Sequence, residues 1–172
     1  MTKAVTRMIE IEPFDQDTMR LRRAFGCFPS GVTAACAIVD GEPVGMAASS
    51  FTSVSVSPPL VSVCVQDVSE TWPRLRTAER LGLSVLAEGH DDACRSLSNK
   101  KGDRFAGVDW DQSSHGSIFV HGSSLWLDCS LHAEVPAGDH AIVVLEVHGL
   151  RADPDTPPLV FHGSRFRRLA SI

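Results

Sequence analysis

Between residues 32 and 161 apolar, β-branched runs follow one another with turn signals between them and no regular alternation with helices, which excludes a parallel βαβ sheet. Residues 32–39 form an apolar run, and Asp40-Gly41 then marks a tight hairpin turn into 43–48. Residues 51–57 alternate, Pro58-Pro59 punctuates, and Leu-Val-Ser-Val-Cys-Val at 60–65 has the β-branched density of a buried strand. Further strands are expected at 81–87, 118–120, 125–135, 140–150 and 159–161, the two long ones separated by Pro136-Ala137-Gly138-Asp139. Helical signals are fewer. Residues 15–28 have helical apolar spacing, with Asp15 or Asp17 as N-cap and Pro29 and Gly31 as terminators. Ser69-Glu70-Thr71-Trp72-Pro73 opens a second helix to about residue 80, and His90-Asp91-Asp92 caps a short third. A loop rich in glycine, aspartate and serine then runs to about residue 115. The pattern predicts a mostly β fold, an antiparallel barrel of seven or eight strands with two or three peripheral helices.

A length of 172 residues fits one domain, assigned to 15–172 with 1–14 as an N-terminal extension. The formal charge of −5 argues against a general nucleic-acid binder, which would show a basic face. The basic clusters Asn99-Lys100-Lys101-Gly102-Asp103-Arg104 and Arg165-Phe166-Arg167-Arg168 read first as solvated surface, although either could touch a phosphate. Five cysteines at spacings of 9, 28, 30 and 35 resemble neither a metal ribbon nor a redox motif, and are expected to be reduced and mostly buried. Neither a signal-peptide core nor an apolar run of about 18 residues occurs, so the expectation is a soluble cytoplasmic protein that does not span a membrane.

No two of the thirteen glycines are separated by a single residue, so the dinucleotide fingerprint G-x-G-x-x-G is excluded. G-K-[ST] and G-x-S-x-G are absent, and the seven histidines contain no i, i+3 or i, i+4 pair to hold a metal. An enzyme built from what remains leaves its difficult chemistry to a bound cofactor. The place for one is the stretch from Gly45 to Pro59, which carries six hydroxyl side chains at positions 49–57. Serine is a poor strand former, so this stretch trades local propensity for hydrogen-bonding capacity, and its small side chains let backbone approach a flat ligand. Composition alone also allows a strand with a merely polar outer face. Ser69 and Thr71 stand where a helix start makes an anion site, with Glu70 expected to point outward; Ser69 by itself is equally an N-cap. His140, after a turn, would by itself be structural.

The blocks G-M-A-A-S-S-F-T-S-V-S with P-P-L-V, S-E-T-W, D-R-F-A-G-V, A-G-D-H and G-S-R-F-R-R-L, in that order, resemble the short-chain flavin reductase family. These are small FMN- or FAD-binding split barrels that supply reduced flavin to two-component monooxygenases. The resemblance implies an antiparallel split β-barrel in which Gly45, Met46, Ala47, Ala48, Ser49 and Ser50 pass along the flavin. It places Cys64, Val65, Gln66, Ser69 and Thr71 on the phosphate side. Gly138 and Asp139 would bring His140, the implied catalytic residue, to the nicotinamide nucleotide. The family pattern more often reads G-M-T-A-N-S, so Ala47 and Ser49 remove or shorten two hydrogen bonders, each worth about 0.5–1.5 kcal/mol. Phe166 stands where the family often has tyrosine, in a chain with no tyrosine at all, and could still stack. The implied activity is hydride transfer from NADH or NADPH to FMN or FAD by a homodimer that serves a partner flavin-dependent monooxygenase. The alternative is a non-catalytic flavin-binding carrier or sensor on the same barrel, which the three departures favour and the retained G-D-H block disfavours.

Overall fold

The computed structural model describes residues 8–170; residues 1–7, half of the expected N-terminal extension, and residues 171–172 lie outside it. In chain order the elements are α1 (Thr18–Phe25), β1 (Ser30–Gly31), β2 (Thr33–Val39), β3 (Glu42–Ala48), β4 (Thr52–Val56), β5 (Pro59–Gln66), α2 (Trp72–Leu75), β6 (Leu81–Val85), α3 (Asp91–Ser98), β7 (Trp110–Gln112), β8 (Ile118–Val120), β9 (Leu125–Ala137), β10 (His140–Ala152), β11 (Val160–His162) and β12 (Arg165–Arg167).

Strand β2 reads as an apolar run after Thr33, whose buried hydroxyl donates to the Ala48 carbonyl, because both of its faces are buried. Ala35, Ala37 and Val39 face one core, while Ala34 and Cys36 face another. The first core fills a barrel made by a seven-stranded sheet in the order β3-β2-β6-β9-β10-β5-β4, with every pairing antiparallel. Val63, Leu83, Val143 and Leu145 lie inside at 1% exposure or less. Each such side chain contributes about 1.5–3 kcal/mol by leaving water. Trp72 and Leu75 of α2 plug this interior. The second core lies outside the β2 wall, where α3 and the following loop bring Cys94, Leu97, Phe105 and Val108 onto Ile118 and Leu159. Two small sheets, β7-β8 and β1-β11-β12, flank the barrel.

The barrel is split. Strands β3 and β4 are consecutive in the chain yet form opposite edges of the sheet, joined through Ser49, Ser50 and Phe51. Pro43 is tolerated in β3 because an edge strand needs no ladder donor on its outer side. Asp40 and Gly41 take φ of 53° and 80°, the left-handed pair of a type I′ turn that returns β2 into β3. The β9–β10 turn is tighter than the sequence suggests. Pro136 and Ala137 stay paired to Ala141 and His140, leaving only Gly138, at φ 71°, and Asp139 to turn the chain.

The helices are shorter than their signals. Asp17, not Asp15, caps α1, its carboxylate accepting from the Met19 and Arg20 amides. The second helix, expected to reach residue 80, is the single turn α2. Past it the Thr77 hydroxyl donates to the Arg74 carbonyl at 2.7 Å, a local bond that ends the helix. In α3 the cap position is His90, and its Nδ1 accepts from the Ala87 amide at 3.1 Å; burial pushes the His90 pKa down. Strands β1, β7 and β12 were not anticipated, β7 falling in the presumed loop before residue 115.

Candidate functional site

Strand alternation decides which of the expected residues reach a common surface. A cleft of about 740 Å³ opens along the end of β3 and the β3–β4 connection, so that Met46, Ala47, Ala48, Ser49 and Ser50 form one wall. On β5, Cys64 and Gln66 point into the cleft, and the intervening Val65 points into the barrel at 2% exposure. Ser69, Thr71 and His140 also line it. Gly45 lines an adjoining groove of about 370 Å³ that shares Glu70, Thr71, Lys100 and Arg104 with the first. Gly138 and Asp139 stand behind His140 on the turn and line neither space. Phe166 lies elsewhere, its ring 5.5 Å from that of Phe161 and 5.4 Å from the Arg95 guanidinium. Glu70, expected to point outward, lines both spaces.

Several of the polar groups are already committed to the fold. The Ser50 hydroxyl accepts from the Cys64 amide at 2.8 Å and donates to the Cys64 carbonyl at 3.3 Å. It thereby bridges the split where no ladder runs, which makes Ser50 a positioning residue for the wall. The Ser69 hydroxyl accepts from the Trp72 amide, the first of α2, at 3.2 Å, two residues ahead of the N-cap position held by Thr71. Thr71 makes no side-chain cap bond, so its hydroxyl is available to the cleft. His140 donates through Nδ1–H to the Asp139 carboxylate at 2.7 Å, leaving Nε2 without a protein partner among the described residues. The same contact holds the Asp139 carboxyl below its ordinary value, through the hydrogen bond and the charge of His140.

The opposite wall comes from the chain after α3. Leu97, Ser98, Lys100, Lys101 and Arg104 line the cleft there. Arg104 is fastened, donating through Nη1 to the carbonyls of Gly45 at 3.1 Å and Leu97 at 3.3 Å. It ties the cationic loop to β3, and Lys100 and Lys101 line the cleft as charges with no ion pair among the described residues. The basic run at 99–104 and the D-R-F-A-G-V block that begins within it were the sequence signals for this wall. Gly45 is glycine for packing reasons: a Cβ there would meet Cys36 Sγ at 2.5 Å and Phe105 Cζ at 2.9 Å.

One wall of small, hydroxyl-bearing residues faces a cationic wall, with a single imidazole nitrogen free at the rim. That arrangement suits a flat heteroaromatic ring with an anionic tail. Among the described residues no cluster of three or more His, Cys, Asp or Glu could hold a metal. Burial pushes the Cys36 thiol up to about 12, leaving it inert, whereas Cys64 is exposed in the cleft.

Comparison with known proteins agrees with this geometry. Residues 25–170 match the model of the flavin reductase like domain. A flavin reductase of Pseudomonas putida is 35% identical over 157 residues, covering 91% of this chain and 92% of that protein. The reductase subunit of a flavin-dependent monooxygenase of Rhodococcus jostii is 35% identical over 150 residues, 87% of this chain and 77% of that one. Among solved structures, the NADH:FAD oxidoreductase of Streptomyces globisporus C-1027, in complex with NAD and FAD fragments, superposes with a TM-score of 0.86 at 39% identity. It covers 93% of this chain and 98% of that one. A matching family model over most of the chain, relatives above 30% identity and a shared split barrel lead to one conclusion: the chain belongs to the flavin reductase family.

Proposed function

We propose that this protein is an NAD(P)H-dependent flavin reductase that passes a hydride from the nicotinamide to FMN or FAD and hands the reduced flavin to a partner flavin-dependent monooxygenase. The observation that carries the reading is the convergence of the Met46–Ser50 wall, the Lys100–Lys101 wall and His140 on one cleft. Its volume and its mixed lining of small, hydroxyl and cationic side chains fit a flavin. A bound flavin would itself supply the hydride acceptor, so no protein nucleophile is required.

The chain's own residues then have four tasks. Ala47, Ala48 and Ser49 keep the wall flat enough for close approach, and the backbone of Gly45 and Met46 continues that wall. Ser50 fixes the wall against Cys64 and Gln66. Lys100, Lys101 and the Thr71 hydroxyl take the phosphate, while Ser69 is committed to the Trp72 amide at the start of α2. His140, oriented through Nδ1 by Asp139 on the Gly138 turn, presents Nε2 to the nicotinamide and can move a proton there. Val65 and Phe166 act from the two cores, without touching the ligand. A carrier lacking turnover would have no use for an oriented imidazole at the cleft.

The protein is proposed to act as a homodimer. No residue of α1 is buried, Met19 and Phe25 are 58% and 68% exposed, and Val54 and Val56 of the edge strand β4 are 52% and 94% exposed. A second copy would cover these surfaces and the edge. A cytoplasmic location is proposed from five unpaired thiols, and no described helix is long and apolar enough to cross a membrane. The test of the function is steady-state oxidation of NADH and NADPH with and without added FMN or FAD. Turnover that saturates with flavin supports the reductase; flavin binding without turnover rejects it.

A further inference from the structure

Gln66, Val68, Ser69, Glu70 and Thr71 all line the cleft, and the β9–β10 hairpin holds this strap of chain at both ends. At the first end the hold is through main chain. Gln66 pairs with His140, and the Asp67 amide donates to the Asp139 carbonyl at 3.1 Å. At the second end it is through side chains. The Trp72 indole N–H donates to Glu134 Oε1 at 2.5 Å, and the Arg76 guanidinium lies 3.0 Å from Oε2 of the same carboxylate.

Glu134 pairs with Val143 on β10, three residues in from His140, and Val143 is fully buried. Cross-strand partners point to the same face, so Glu134 turns toward the barrel interior, and its side chain is only 21% exposed. Desolvating a carboxylate is costly, and an indole N–H needs no more than a carbonyl: Trp126 uses that of Val120 at 2.8 Å. What the carboxylate adds is a second oxygen. It reaches residues 72 and 76, one helical turn apart on one face, and so fixes both ends of a helix too short to hold its own place. Thr71, directly before Trp72, is thereby set against the cleft.

We infer that Glu134 is a positioning residue for flavin binding: by clamping α2 through Trp72 and Arg76 it holds the Thr71 hydroxyl where the flavin phosphate arrives. The same hairpin carries His140, so one element sets the places of both groups. The inference rests on the flavin reductase reading and adds to it a residue that lines neither the cleft nor the groove beside it. Riboflavin has the same ring as FMN without the phosphate. The clamp therefore matters to FMN and not to riboflavin.

The test is fluorescence titration of FMN and riboflavin with the wild-type protein, Glu134→Ala, Glu134→Gln, Trp72→Phe, Thr71→Ala and the Glu134→Ala/Thr71→Ala double variant. Trp72→Phe keeps the apolar plug and removes the N–H, so it tests the clamp even where Glu134→Ala fails to fold. In Glu134→Ala and Trp72→Phe the Kd for FMN should rise about fivefold while that for riboflavin stays fixed. Glu134→Gln, which keeps an acceptor for the indole, should recover most of the FMN affinity. The double variant should bind FMN no more weakly than Thr71→Ala alone, because the clamp acts through Thr71. An unmoved FMN Kd in both Glu134→Ala and Trp72→Phe, or equal losses for FMN and riboflavin, would overturn the positioning role alone. A wild-type protein that binds neither flavin would overturn the reductase reading with it.

Discussion

Replacing Gly45 with alanine would place a methyl group 2.5 Å from Cys36 Sγ and 2.9 Å from Phe105 Cζ, both distances inside the range that real side chains tolerate. Neither neighbour has room to retreat. Cys36 is fully buried directly across the β2–β3 ladder, and Phe105 is 9% exposed in the second core. Overpacking of this kind costs about 1–3 kcal/mol, which for a chain of this length lowers Tm by roughly 2–12 °C. The damage also reaches the cleft, because the Gly45 carbonyl accepts from Arg104 and so anchors the loop bearing Lys100 and Lys101. Thermal and urea unfolding of Gly45→Ala, Cys36→Ala and the double variant measure the effect. Cys36→Ala should be less destabilising in the Gly45→Ala background than alone, since it removes the atom of closest conflict. A Gly45→Ala protein as stable as wild type, or strictly additive effects in the cycle, would refute the packing explanation and return Gly45 to a ligand-facing role.

Other changes separate the walls of the cleft. His140→Ala should raise KM for NAD(P)H or slow flavin reduction roughly tenfold, about the worth of one good hydrogen bond, with flavin Kd retained; unchanged kinetics would remove His140 from the site. Ser50→Ala breaks both bonds to the Cys64 backbone, costs about 1 kcal/mol of stability and weakens flavin binding, and a flavin titration identical to wild type would show that the bridge does not position the wall. Alkylation of the native protein followed by peptide mass analysis should label the exposed Cys27 and Cys64 and spare Cys36, Cys94 and Cys129, whose thiols burial pushes up. Added flavin should protect Cys64 but not Cys27; equal protection or none would place the ligand away from β5.

Much of the fold was legible because its signals are local. The Asp40-Gly41 turn, the doubly buried β2 and the long β9–β10 hairpin each follow from a dipeptide or a run of residue types. The misses have causes that a local pattern does not show. Strands β1, β7 and β12 are two or three residues long, too short to show a periodic pattern; β1 exists only because a partner distant in sequence accepts it, Ser30 pairing with Phe161, whereas β7 and β12 close short hairpins with β8 and β11. The helix after Ser69 has sound opening signals, but its end is set by the Thr77 hydroxyl and by how far Trp72 and Leu75 must reach into the barrel.

The site divides in the same way. The serine-rich wall and His140 lie on strands whose order in the chain is their order in motif, so the residues pointed to them. The cationic wall was hidden, because a basic run looks the same whether it is solvated or folded over a strand. Only the bond from Arg104 to Gly45, 59 residues away, distinguishes the two. Val65 was drawn in by its neighbours Cys64 and Gln66, although strand alternation turns it into the barrel. Phe166 holds the small β11–β12 sheet against α3 through Phe161 and Arg95.

The most direct test is rapid anaerobic mixing of NADH or NADPH with the flavin-loaded protein, following the visible absorbance of the flavin. Bleaching of the oxidised flavin much faster than in protein-free solution, with reduced flavin then recoverable in the filtrate, is the expected result. Flavin that binds in the cleft yet is reduced no faster than free flavin would contradict a reductase and leave only a binding protein.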